Sequence, residues 1–167
     1  MLRKSAVSSS QTLIFVPSYF DFVRLKRYFK KLDDFAFASI SEYSASPDVS
    51  RARGAFFAGK VNFLLVTERF HFFRRYRLRG AKTFVFYAPP EHAAYYPEVI
   101  SFPFPRAGVR LNNAVQQGDE PDVDESELSA QVLFSRFDLL RVERIVGRED
   151  ARRMVTSGAE ATKFTFI

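Results

Sequence analysis

The chain has no cysteine, no tryptophan and only two histidines. Without cysteine there is no disulfide, no thiolate nucleophile and no cysteine-ligated zinc, and two histidines cannot build a histidine-rich metal site. No apolar run reaches the roughly 18 residues that a membrane-spanning helix needs. The opening stretch MLRKSAVSSSQ is basic but has no apolar segment for secretion. Residues 1–11 are therefore expected to be a disordered tail, with the edge of a longer polypeptide preferred over a short targeting signal. The compact catalytic signatures are missing as well: no P-loop, no H-E-x-x-H, no G-x-G-x-x-G and no G-x-S-x-G. His71 lies among aromatics, and His92 follows Glu91 with no nucleophile beside it. Both read as structural or surface histidines rather than catalytic ones.

What the chain does contain is apolar and aromatic. Apolar residues make up 47% against 26% charged, enough for one domain with a real core. Twenty phenylalanines accompany seven tyrosines. Phenylalanine has no polar handle and is expected mostly in the core, so the tyrosines are the better surface candidates.

Three runs, Thr12-Leu13-Ile14-Phe15-Val16, Asn62-Phe63-Leu64-Leu65-Val66 and Thr83-Phe84-Val85-Phe86-Tyr87, are apolar without alternation. That is the pattern of parallel strands covered on both faces. Phe35 to Ile40 reads as a further strand, as does Gln131 to Phe134. Between them the spacing predicts helices. Ser18 followed by Asp21 starts one over Tyr19 to Leu32, with Phe22, Leu25, Phe29 and Leu32 inward and Arg24, Lys26, Arg27, Lys30 and Lys31 elsewhere, a basic face read as solvated surface. Ser46-Pro47-Asp48 starts another to about Ala58, with Ser46 as cap and Val49, Ala52, Phe56 and Phe57 inward. Phe70, Phe73 and Tyr76 predict a short helix ending before Gly80. His92 to Phe102 predicts one interrupted by Pro97, and Asp138 to Val146 one with Leu140, Val142 and Ile145 inward, followed by a turn or two over Arg148 to Val155. Ala161 to Ile167 alternates and is expected as an edge strand. Residues 103–127, rich in Pro, Gly and acid, are expected to be a flexible acidic insertion within a single domain over 12–167. The order implies an α/β fold, a parallel sheet with helices on both faces.

The net charge of +6 is modest, but its distribution is not. Residues 51–80 carry Arg51, Arg53, Lys60, Arg69, Arg74, Arg75, Arg77 and Arg79 against Glu68 alone, while 119–127 hold Asp119, Glu120, Asp122, Asp124, Glu125 and Glu127 with no base. Open α/β sheets bind ligands at strand C-terminal ends, which puts the expected site between Thr67 and Gly80. Arginine's planar fork of donors suits phosphate, and interleaved aromatics suit bases. Arg69, Arg74, Arg75, Arg77 and Arg79, with Arg51 and Arg53 as a secondary patch, are thus the candidate contacts for RNA or an acidic partner. Glu68, at the end of its strand, reads as a local ion-pair partner.

The segments TLIFVPSYFDFVRLKRYF and ISEYSASPDVSRARGAFFAGKVNFLLVTERFHFFRRYRLRGAKTFVFYAPPEHAAYYPEV resemble the second RecA-like domain of a DEAD-box-like RNA helicase. More narrowly, they are similar to the C-terminal domain of the digestive organ expansion factor family, nucleolar proteins of the small-subunit processome. The resemblance covers Thr12 through Val99 and Val132 through Ile167. Leu13-Ile14-Phe15-Val16 matches the first-strand motif, Ser50-Arg51-Ala52-Arg53 the helix before the third strand, and Val66-Thr67-Glu68 with Arg79-Gly80 are partial counterparts of the alanine-threonine-aspartate and arginine-glycine elements. The pattern then departs. Ala81-Lys82 replace the usual aspartate, and no Arg or Lys occurs between Lys82 and Arg106, where a helicase carries its nucleotide-contacting arginines.

The resemblance implies a catalytically inactive, helicase-like RecA domain without a cofactor, a structural RNA- and protein-binding module of nucleolar small-subunit assembly and pre-rRNA processing. Its implied partners are small nucleolar RNA or pre-rRNA, processome proteins and the first RecA-like domain, which supplies the nucleotide loop and is not in this chain. Losing the cations that would neutralise a transferring phosphate argues against hydrolysis by itself. Two alternatives stay open: an ATP-dependent helicase half whose arginines come from elsewhere, and a pure protein scaffold using Tyr76, Tyr95, Tyr96 and the edge of the last strand.

Overall fold

In the computed structural model, residues 11–32, 35–104 and 128–156 are described. Five strands, β1 (Thr12–Val16), β2 (Phe37–Ile40), β3 (Phe63–Thr67), β4 (Thr83–Phe86) and β5 (Ser129–Val132), form one sheet in the order β2-β3-β1-β4-β5. Every neighbouring pair is parallel, with Thr12 opposite both Phe63 and Thr83. Six helices accompany them: α1 (Tyr19–Lys31), α2 (Ser46–Phe57), α3 (Glu68–Arg74), α4 (Tyr95–Ile100), α5 (Leu139–Val146) and α6 (Arg148–Thr156). This is the expected parallel α/β architecture, and no described helix is long and apolar enough to cross a membrane.

The pleat sorts the apolar runs onto two faces. Leu13, Phe15, Leu64, Val66, Phe84 and Phe86 point to the side covered by α2, α3 and α4, through Val49, Phe56, Phe70, Tyr95 and Val99. Ile14, Val16, Phe63 and Leu65 point the other way, against Phe22, Leu25 and Phe29 of α1. β1 and β3 are buried along their whole length, which is why their sequences do not alternate. A satellite core of Val142, Ala151 and Met154 joins α5 to α6.

Several boundaries differ from the sequence expectation. β2 begins at Phe37 rather than Phe35, and β5 ends at Val132 rather than running on to Phe134. Ser18 does cap α1, accepting from the Asp21 N–H at 3.4 Å. Ser46 is not the cap of α2: Ala45 holds that position without a side-chain bond, and Ser46 and Pro47 sit in the first turn. α3 stops at Arg74 because Arg75 turns left-handed at φ 49°, so Tyr76 lies beyond it. α4 is shorter than expected and starts at Tyr95, which places Pro97 in its first turn, where a missing N–H costs nothing. A 3-10 turn at Arg136–Asp138, closed by Ser135 and Asp138 in a capping box, precedes α5.

Five phenylalanines expected to be core, Phe20, Phe57, Phe72, Phe73 and Phe137, are at least half exposed, as is Leu140. The expected tail, acidic insertion and final strand fall on 1–10, 105–127 and 157–167, outside the described residues. Gln11, the last residue of that expected tail, accepts the Lys82 N–H at 2.9 Å and donates its side-chain amide to Phe56 O.

A cleft at the strand C-terminal ends

β1 is the central strand. The chain steps from it to β2, returns to place β3 beside it, then crosses to add β4 on the other side. The crevice outside the C-terminal ends of β1, β3 and β4 is thus the topological switch point where open sheets bind ligands. A cleft of about 240 Å³ lies there, lined by Pro17, Glu68, Arg69, Phe72, Phe73, Glu91 and His92.

Its floor is built by the turn from β3 into α3. Thr67 Oγ1 caps the helix by accepting the Phe70 N–H at 3.2 Å, and donates to Glu42 Oε2 at 2.8 Å. Glu68, 5% exposed, has no ion pair among the described residues, where its position suggested one. Its carboxylate accepts the Glu91 N–H at Oε2 and the His92 N–H at Oε1, both at 3.1 Å, tying α3 to the loop after β4. Burial pushes the carboxyl above its ordinary value, and the two backbone donors pull it part of the way back.

The candidate arginines separate into two groups. Three are built into the fold. Arg77 donates to the carbonyls of Ser101 at 2.7 Å, Phe102 at 3.2 Å and Phe104, which clamps the connector onto the end of α4. Arg53 reaches Arg77 O at 3.4 Å and lies over the Tyr76 ring at 4.7 Å, so the secondary patch touches the main one. Arg75 donates to Glu98 Oε2 at 2.7 Å and Tyr95 Oη at 3.3 Å, with its guanidinium 4.8 Å from the Tyr95 ring centre. The other four face solvent. Arg51 pairs locally with Asp48 on α2. Arg69 sits 3.3 Å from Glu42 and over Phe73. Arg79 is exposed, and Arg74 is exposed with no ion pair among the described residues.

Beside the cleft, Phe72 and Phe73 project outward at 50% and 60% exposure, with the Phe72 ring stacked near His92. Tyr95 is buried and Tyr96 packs on Phe86, which leaves Tyr76 as the accessible tyrosine of the scaffold alternative. Glu42 and Glu98 were not singled out from the sequence. Glu42 follows the C-terminal end of β2, a signal that was available; Glu98 meets His71 and Arg75 only through tertiary packing.

His71 is 3% exposed, edge-on to Phe15 and Tyr95, with Nε2 3.3 Å from Glu98 Oε2. Burial lowers its pKa from the ordinary 6.5, outweighing Glu98, which pulls it up. Burial alone would raise the Glu98 carboxyl, but His71 and Arg75 outweigh it and hold it below its ordinary value. A histidine whose folded pKa is depressed binds protons less readily folded than unfolded, so its contribution to stability falls as pH drops below 6.5. Glu68, raised above 4.5, has the opposite sign: its contribution falls as pH rises through that region. His71→Phe is therefore expected to flatten the fall in Tm between neutral and mildly acidic pH, measured beside wild type. An unchanged profile would remove His71 from this account.

Among the described residues no three His, Asp or Glu side chains are placed to hold a metal ion. Solved structures with the same fold include the Escherichia coli DEAD-box protein SrmB bound to regulator of ribonuclease activity A, at TM-score 0.58 and 14% identity over 83% of this chain and 69% of that one. The C-terminal domain of the DEAD-box protein Dbp5 gives TM-score 0.58 and 15% identity over 81% and 68%. These likenesses show a RecA-like helicase second-domain fold. Among curated proteins, the U3 small nucleolar RNA-associated protein 25 of Botryotinia fuckeliana is 38% identical over 98% of this chain and 22% of its own length. The human homolog of that protein is 39% identical over 93% and 18%. The chain thus spans about a fifth of these relatives. The family model described as "Utp25, C-terminal domain" matches residues 1–164, bearing out the resemblance read from the sequence, and the chain belongs to this family.

Proposed function

We propose that the domain is a catalytically silent RecA-like module that contacts RNA and protein during nucleolar small-subunit assembly and pre-rRNA processing; its relatives are named as U3 small nucleolar RNA-associated proteins. The observation that carries this reading is the outer surface of α3 and its connector. Arg74 is exposed with no ion pair among the described residues, on the same short helix as Arg69 and the exposed rings of Phe72 and Phe73. Cations and exposed aromatics are what a single strand of RNA uses. No Arg or Lys occurs between Lys82 and Arg106, where a helicase sets its nucleotide-contacting arginines, and the loop after β4 is instead tied to Glu68. Arg69, Arg74 and Arg79 are assigned the phosphate contacts, with Arg51 secondary. Arg53, Arg75 and Arg77 act by shaping the connector. The partners in this reading are pre-rRNA or small nucleolar RNA, processome proteins, and the first RecA-like domain in the remaining length of the protein.

Titration with labelled single-stranded RNA over a salt series, with and without Mg-ATP, tests this. Affinity is expected to fall with salt, to ignore ATP, and to lose about 1.4 log-log units of salt slope in Arg69→Ala/Arg74→Ala, roughly 0.7 per phosphate contact. ATP-dependent affinity would favour the active-helicase alternative, and no binding at low salt would favour a protein scaffold.

A further inference from the structure

α1 carries a feature that its role in the core does not use. Its inner side is Phe22, Leu25 and Phe29. Its outer side presents Phe20 (80% exposed), Arg24, Arg27, Tyr28 (58% exposed), Lys30 and Lys31. Phe20, Arg24, Arg27, Tyr28 and Lys31 follow the i, i+4, i+7, i+8, i+11 spacing of one helical stripe. The helix holds five cations, Arg24, Lys26, Arg27, Lys30 and Lys31, against the single acid Asp21. Among the described residues only Arg24 is paired, 3.5 Å from Asp21 and 83% exposed, a pair worth little in solvent. Arg27, Lys30 and Lys31 have no ion pair among the described residues. The acids next in sequence, Asp33 and Asp34, lie outside those residues.

A solvated basic face needs no exposed aromatics. Burying Phe20 and Tyr28 would be the cheaper arrangement for a helix with nothing to bind, because each leaves a large apolar surface in water. Position adds a second argument. α1 covers the sheet face opposite α3, but its first turn starts at the shared edge: Pro17 lines the cleft, and Phe20 follows three residues later. The stripe therefore continues outward from the cleft over a helix about 20 Å long. That is room for roughly six nucleotides of a strand rising 3.4 Å each.

We propose that the Phe20–Lys31 stripe of α1 is a second contact surface for single-stranded RNA, which continues the path that passes α3 at the cleft. The proposal rests on the RNA-contacting reading of the domain. Single-stranded RNA is favoured over an acidic protein segment because exposed aromatic side chains are interspersed with cationic ones along one stripe, a surface that offers stacking to bases as well as charge to phosphates. Duplex fits less well, since stacking on Phe20 and Tyr28 needs bases free of their partners.

The test uses the full chain and a labelled oligouridylate of about 12 nucleotides, long enough to cover the cleft and α1, with poly-glutamate as a second probe. Arg27→Ala/Lys30→Ala/Lys31→Ala is expected to cut the salt slope by about 2 log-log units. Arg27→Lys, which keeps the charge, should retain it. Tyr28→Ala should weaken binding at least fivefold at fixed salt. All are surface changes, and matching Tm values would show that the fold is intact. An unchanged slope in the triple variant overturns the proposal, and if Arg69→Ala/Arg74→Ala still loses slope the domain's RNA-contacting role survives it. A triple variant that loses poly-glutamate binding but not RNA binding overturns it in favour of an acidic protein. Wild type that binds no RNA at low salt overturns both readings.

Discussion

Phe70→Ala is expected to destabilise the domain by about 3–5 kcal/mol, while Phe73→Ala, three residues on in the same helix, changes stability by no more than about 0.5 kcal/mol. Phe70 is 2% exposed and belongs to the main core beneath α3, against Tyr76 with ring centres 5.8 Å apart. Truncating it leaves a cavity that a seven-residue helix cannot close by moving, because Thr67 caps one end and Arg75 fixes the other. Phe73 is 60% exposed and has little burial to lose. Against a total of about 5–15 kcal/mol for a domain of this kind, the first loss is a large fraction. Chemical denaturation of the two variants beside wild type reads the difference. The RNA readout should be reversed: Phe73→Ala weakens binding by removing a ring from the contact surface.

The second large effect separates arginines that look alike in sequence. Arg77→Ala is expected to cost about 2–4 kcal/mol, because charge-assisted bonds to three carbonyls are lost together and the end of α4 loses its tether to the connector. Arg74→Ala should stay within about 0.5 kcal/mol of wild type. In RNA titrations the order inverts, with Arg74→Ala losing salt slope and Arg77→Ala keeping it at temperatures where the variant is folded. Equal stability losses in both would mean that the connector is held by something other than the Arg77 clamp.

The contrast between Arg74 and Arg77 also marks what a sequence can show. β1 and β3 were legible because four consecutive apolar residues can only be satisfied by cover on both faces, and both strands have that cover. Strand order pointed to the C-terminal edge of the sheet, and a cleft lies at that edge. Side-chain direction in short helices was less legible. In α3 an every-third-residue pattern does not distinguish Phe70 from Phe73, and in α5 the apolar spacing does not distinguish Val142 from Leu140, since one or two turns cannot define a face. Least legible were the polar partners. Arg77 meets carbonyls 24 to 27 residues away, and Glu68 meets backbone donors 23 and 24 residues away. Nothing local signals either contact, so Arg77 looked like a binding residue and Glu68 like an ion pair.

In the proposed reading these two contacts let a helicase-type body serve as a contact module. Glu68 ties α3 to the loop after β4, Arg77 and Arg75 pin the connector to α4, and Arg69, Phe72, Phe73 and Arg74 of α3 lie exposed. Ultraviolet cross-linking of bound single-stranded RNA, followed by identification of the modified peptides, tests that claim most directly. The account predicts cross-links within the segment from Glu68 to Gly80, reduced in Arg69→Ala/Arg74→Ala. RNA bound and cross-linked elsewhere on the chain, with that segment unmodified, would contradict it.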